Sequence, residues 1–87
     1  MKSGDKMDKQ RVTLRIFNDE YQIRTDIPEE NLVGLANIVD EKMVNIASNQ
    51  SALTPSKIAV LAALELASEL DELKKAYADL VTVIKDN

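Results

Sequence analysis

Eighty-seven residues without a single cysteine or histidine exclude a disulfide framework, thiol chemistry and the commonest imidazole base or metal ligand. Fifteen acidic against eleven basic side chains give a net charge of −4, which disfavours nucleic acid as a partner. No apolar run reaches the length of a membrane span, so the composition points to a small soluble cytoplasmic protein, too short to close a sufficient core alone.

Residues 1–9 (MKSGDKMDK) are polar, charged and without periodicity, and are expected to form a disordered leader. Gln10–Phe17 then alternates. Val12, Leu14 and Ile16 fall on one face; Arg11, Thr13, Arg15 and Phe17 fall on the other. Asn18-Asp19 tolerates a turn. Glu20–Arg24 alternates again, with Tyr21 and Ile23 opposite Gln22 and Arg24. The pattern predicts a β-hairpin whose apolar face, Tyr21 included, needs a helix to lie on.

Thr25-Asp26-Ile27-Pro28 breaks the strand, with Asp26 or Ile27 as the cap of a first helix and Glu29 and Glu30 at its positive end. This helix is expected to run to about Ala47, with Leu32, Leu35, Ala36, Val39, Met43 and Ile46 as its apolar stripe. Val33, Ile38 and Val44 lie off the stripe and predict more than one neighbour. Gly34 within it costs about 1 kcal/mol relative to alanine. It is either simply tolerated or marks a close helix–helix approach.

After a polar connector at residues 48–51, Thr54-Pro55 starts a second helix with a hydroxyl cap and a first-turn proline, and no breaker follows. About 30 residues predict a rod of roughly 45 Å. Ala59, Ala63, Leu66, Leu70, Leu73, Tyr77, Leu80 and Ile84 recur at alternating steps of four and three. This is a heptad seam, with Ala63, Leu70, Tyr77 and Ile84 at a and Leu66, Leu73 and Leu80 at d. One helix cannot bury such a seam against itself, so the chain is expected to be an obligate oligomer. Glu69 at g and Lys74 at the following e favour parallel pairing, weakly. Ala67, Ala76, Val81 and Val83 widen the apolar strip enough for a dimer of dimers. From Ile58 to Ala67 the helix is apolar nearly all round and is expected to be buried on every side. The predicted fold class is α+β: a β-hairpin, a short helix and a long C-terminal coiled-coil helix. The globular head would span residues 10–67 and the rod residues 68–87.

Catalysis finds no support. Glu29-Glu30 and Asp40-Glu41 are adjacent pairs that do not face each other on a helix, so they read as solvated surface rather than an acid dyad or metal site. There is no phosphate-binding glycine loop, and no cofactor is implied. The candidate interaction surface is the outer hairpin face, with Arg11, Arg15, Arg24 and Phe17. Three arginines there either receive an acidic partner or form a solvated face that discourages edge pairing.

The segments VTLRIFNDEYQI, LANIVDEKMVNI and KIAVLAALELASEL, in that order, resemble the ZapA family of bacterial cell-division proteins over roughly residues 11–75. The last, an apolar AVLAALELA block entering a coiled coil, is the most specific of the three. The family's turn usually carries glycine where Asn18 stands, and some relatives carry basic residues where this chain has Asp19 and Glu20. The resemblance implies a non-catalytic protein at the division septum that forms dimers and often tetramers. It implies FtsZ as partner, with FtsZ protofilaments cross-linked and aligned to stabilise the division ring. A small coiled-coil holdase chaperone, or an adaptor for another acidic partner, is the alternative. The missing second long helix counts against the chaperone.

Overall fold

In a computed structural model, which describes residues 9–50 and 52–86, the chain forms two compact units that divide between residues 51 and 52. The expected leader at residues 1–9 lies, but for Lys9, outside the described residues. The first unit holds β1 (Gln10–Ile16), β2 (Asp19–Thr25) and α1 (Glu29–Asn49). The second holds α2 (Pro55–Asp86).

β1 and β2 pair antiparallel as a two-stranded sheet, with Val12 opposite Ile23, Leu14 opposite Tyr21 and Ile16 opposite Asp19. The turn is therefore Phe17-Asn18, one residue earlier than the sequence suggests. Both residues have positive φ, 52° and 70°. A two-residue hairpin loop needs this to match the right-handed twist of its strands. Asparagine adopts it readily; phenylalanine does so only under compensation. Phe17 leaves the strand alternation, so it does not join the arginine face as expected.

Val12 and Leu14 are buried together with Leu32 and Ala36 of α1, and Ile16 packs partly against them. α1 lies on β1 and not on β2. This corrects the expectation for Tyr21. It shares a face with Leu14, but α1 does not cover it, and it stays 46 % exposed, with Ile23 at 36 %. The helix is offset toward β1, so its side chains cover that strand and leave Tyr21 and Ile23 of β2 open.

α1 begins after Pro28, which takes the cap position without a side-chain cap, so neither Asp26 nor Ile27 serves. Thr25 Oγ1 instead accepts the Ile27 N–H at 3.0 Å, folding the loop ahead of the helix. Gln10 Nε2 donates to the Ile27 carbonyl at 3.2 Å and ties that loop to the start of β1. α1 runs two residues beyond Ala47, to Asn49, and ends where the Gln50 N–H reaches the Ile46 carbonyl at 2.9 Å.

A Cβ built on Gly34 would meet nothing within 4 Å. The single chain therefore gives no steric reason for glycine at this position. Gly34→Ala is expected to stabilise the protein by about 1 kcal/mol in thermal melts followed by circular dichroism. A loss of stability instead would locate a close approach by a second chain.

α2 starts as its sequence dictates. Thr54 Oγ1 accepts the Lys57 N–H at 3.4 Å and the Thr54 carbonyl accepts the Ile58 N–H at 3.0 Å. Its 32 residues span about 48 Å. Between Ile58 and Ala67 the single chain buries Ile58 and Ala62 and leaves Val60 and Leu64 exposed, the side on which the sequence calls for a second chain.

Candidate interaction surfaces

Two surfaces emerge, one on each unit. The first is the outer face of the hairpin. The register places Arg11 opposite Arg24, Thr13 opposite Gln22 and Arg15 opposite Glu20. All three candidate arginines thus share one face, as the alternation predicts, and all are exposed. They are not equivalent. Arg15 lies 3.4 Å from the Glu20 carboxylate, an exposed cross-strand pair that neutralises it locally. Among the described residues Arg11 and Arg24 make no ion pair. They border a concavity of about 320 Å³ lined also by Gln22 and Ile23.

Phe17, the fourth candidate expected on this face, instead sits half-buried in the turn. Its backbone N–H donates to Asp40 Oδ1 of α1 at 2.7 Å. Sequence reasoning took Asp40 for a solvated helix residue. It is half-buried, and it fixes the strained turn to the helix. A charge-assisted bond of this length is the compensation that holds a phenylalanine at positive φ. The acceptor is 23 residues away, beyond the reach of any local pattern. The one available signal was an acidic residue next to the buried stripe of α1.

The second surface is the seam of α2. Leu70, Leu73, Tyr77, Leu80 and Ile84 are 52–68 % exposed. Ala63 is exposed as well, and Leu66 is half-buried. Val83 on the flank is also exposed, whereas Val81 is half-buried. Lys75 and Asp71 pair at 3.1 Å one turn apart, on the polar side of the heptad pattern. Glu69 and Lys74 both lie at the exposed margins of the strip. The seam is an apolar stripe over four helical turns, far more than a monomer's scattered surface leucines.

Neither surface has the chemistry of a catalytic or metal centre. Among the described residues, no group of three or more acidic side chains is placed to hold a metal ion. No helix among them is long and apolar enough to cross a membrane.

The comparisons agree on one family. The family model "Cell division protein ZapA" matches residues 12–86. The cell division protein ZapA of Oceanobacillus iheyensis is 37 % identical over 78 residues, covering 90 % of this chain and 91 % of the relative. A ZapA mutant dimer from Geobacillus stearothermophilus has a TM-score of 0.69 at 35 % identity, covering 88 % of this chain and 90 % of that one. A conserved bacterial protein of unknown function from Pseudomonas aeruginosa PAO1 has a TM-score of 0.72 at 26 % identity, covering 88 % and 86 %. The hairpin from Val12 onward, the two helices and the heptad seam lie within the matched residues, and the chain belongs to the ZapA family of cell division proteins.

Proposed function

We propose that the protein pairs with itself along α2 and uses the heads so joined to bind and cross-link FtsZ protofilaments at the division septum. The observation that carries this reading is the bare seam. Leu70, Leu73, Tyr77, Leu80 and Ile84 are each more than half exposed in the single chain. Each gains about 1.5–3 kcal/mol on full burial. Halved for partial burial, their sum still exceeds any other single contribution in the chain. A parallel homodimer with Glu69 and Lys74 meeting across the seam is the simplest closure. Residues 10–67 form its heads, completed by the partner chain over the uncovered Tyr21 and Ile23, and residues 68–87 its rod. Val83 and its neighbours on the flank leave room for a second dimer.

A symmetric assembly presents identical heads. Weak binding by each head becomes avid when several engage one polymer. FtsZ is acidic, and the outer hairpin face with Arg11, Arg15 and Arg24 is the surface that suits it. Such a protein acts by position and number, with no bond made or broken and no cofactor.

Co-sedimentation with FtsZ polymers tests the reading. The full chain is expected to pellet with FtsZ and to increase the bundled fraction. Replacing Arg11, Arg15 and Arg24 together with glutamate is expected to abolish co-pelleting without changing oligomer mass. FtsZ sedimentation unchanged by the full chain across salt and concentration sinks the proposal. Normal binding by the triple variant moves the contact away from the hairpin.

A further inference from the structure

We infer that Arg11 and Arg24 form a dedicated subsite for one carboxylate side chain of an acidic partner segment, and that Arg15 is outside it. The inference deepens the reading of the arginine face given above and rests on it. The register sets Arg11 directly across from Arg24. Like charges opposed across a sheet destabilise it. In a two-residue hairpin, pairs alternate from the turn outward, with Ile16 and Asp19 the hydrogen-bonded pair that closes it. Arg11–Arg24 then falls at a non-hydrogen-bonded position, where side chains approach most closely. An acidic residue at either position would remove the repulsion, as Glu20 does for Arg15 at 3.4 Å. The fold thus uses the neutralising arrangement at one arginine and omits it at the other two.

The omission has a recipient. Arg11, Arg24, Gln22 and Ile23 line a concavity of about 320 Å³. Two guanidinium forks match the two oxygens of a carboxylate. Gln22, on the same face, adds an amide donor. Glu20 and Asp26 stand near this region in sequence, and the chain as a whole carries −4. Two guanidiniums in one small concavity suit a single carboxylate rather than a continuous run of phosphates. A polyphosphate or nucleic acid is therefore the poorer fit.

The signature is opposite movement of stability and binding. Removing one arginine relieves the repulsion and weakens the grip. The full-length chain, labelled with nitrogen-15, is titrated with hexaglutamate, hexaglutamine and inorganic phosphate while the arginine Nε–H signals are followed. Hexaglutamate is expected to move Arg11 and Arg24 together and leave Arg15 in place; hexaglutamine is expected to do nothing. Arg24→Gln is expected to weaken hexaglutamate about ten-fold and to raise the melting temperature. Arg15→Gln is expected to weaken hexaglutamate clearly less than Arg24→Gln does, and Lys57→Gln, in the second unit, is expected to leave it unchanged. Equal movement of all three arginines, equal loss in Arg15→Gln, or phosphate as effective as the peptide overturns the subsite. FtsZ pelleting by Arg24→Gln separates the two claims. Undiminished pelleting overturns the subsite as the point of contact. If the wild-type chain ignores FtsZ while the peptide titration behaves as expected, the subsite stands and the FtsZ reading falls.

Discussion

Leu73→Lys is expected to move the protein to a smaller species in sedimentation equilibrium and to abolish FtsZ bundling. Leu73 lies at a d position in the middle of the exposed stripe, 67 % accessible in the single chain. Burial against a partner helix is worth about 1.5–3 kcal/mol for a leucine, so two chains lose about 3–6 kcal/mol. That is a shift of about two to four decades in dissociation constant. The substitution also brings two ammonium groups face to face in the seam, which adds to the loss. Helix content should hold, because lysine is a good helix former. Glu72→Lys, one residue earlier on the outer face, supplies the control and is expected to leave the mass unchanged. An unchanged mass for Leu73→Lys would mean that the heads alone drive assembly.

Asp40→Ala is expected to be the most damaging single change to the hairpin unit among its polar residues. It removes the carboxylate that accepts the Phe17 N–H at 2.7 Å. Hydrogen bonds to charged groups contribute about 1.5–3 kcal/mol, and the turn they restrain here holds a non-glycine residue at φ 52°. Urea titration at fixed protein concentration should show a loss of about 2–3 kcal/mol with the slope unchanged. Asp40→Asn keeps an acceptor oxygen but loses the charge, and should lose about half as much. If Asp40→Ala melts like the parent, the turn is held by its strands alone. The lost restraint should also scatter the arginine face, since the same turn sets the register that opposes Arg11 and Arg24.

Much of this architecture was legible from periodicity. Alternation alone put Val12, Leu14 and Ile16 inside and the three arginines together outside. Thr54-Pro55 announced the start of α2 to the residue. The heptad steps found the seam that the single chain leaves bare. What escaped reading depends on contacts distant in sequence or on backbone conformation. The turn slipped by one residue because phenylalanine is a poor candidate for positive φ, and the reason it is tolerated sits on α1. Tyr21 reads as core because it alternates correctly, yet coverage of a sheet face depends on where the helix lies. The unequal state of the arginines was hidden for a related reason. Pairing Arg15 with Glu20, and Arg11 with Arg24, requires the register, and the register requires the turn.

The exposed seam ties the protein's durability to its own abundance. On the proposed assembly, association and folding are one equilibrium, so mass action sets how much of the chain is intact. Each ten-fold rise in concentration adds about 1.4 kcal/mol to the stability of a dimer. Dilution withdraws the same amount and returns Leu70, Leu73, Tyr77, Leu80 and Ile84 to water, where an unfolded or unpaired chain is open to proteases. A cell that lowers synthesis would thereby lose the protein faster than in proportion. Supply of the chain, without any dedicated regulator, then acts as a threshold on how many heads are available.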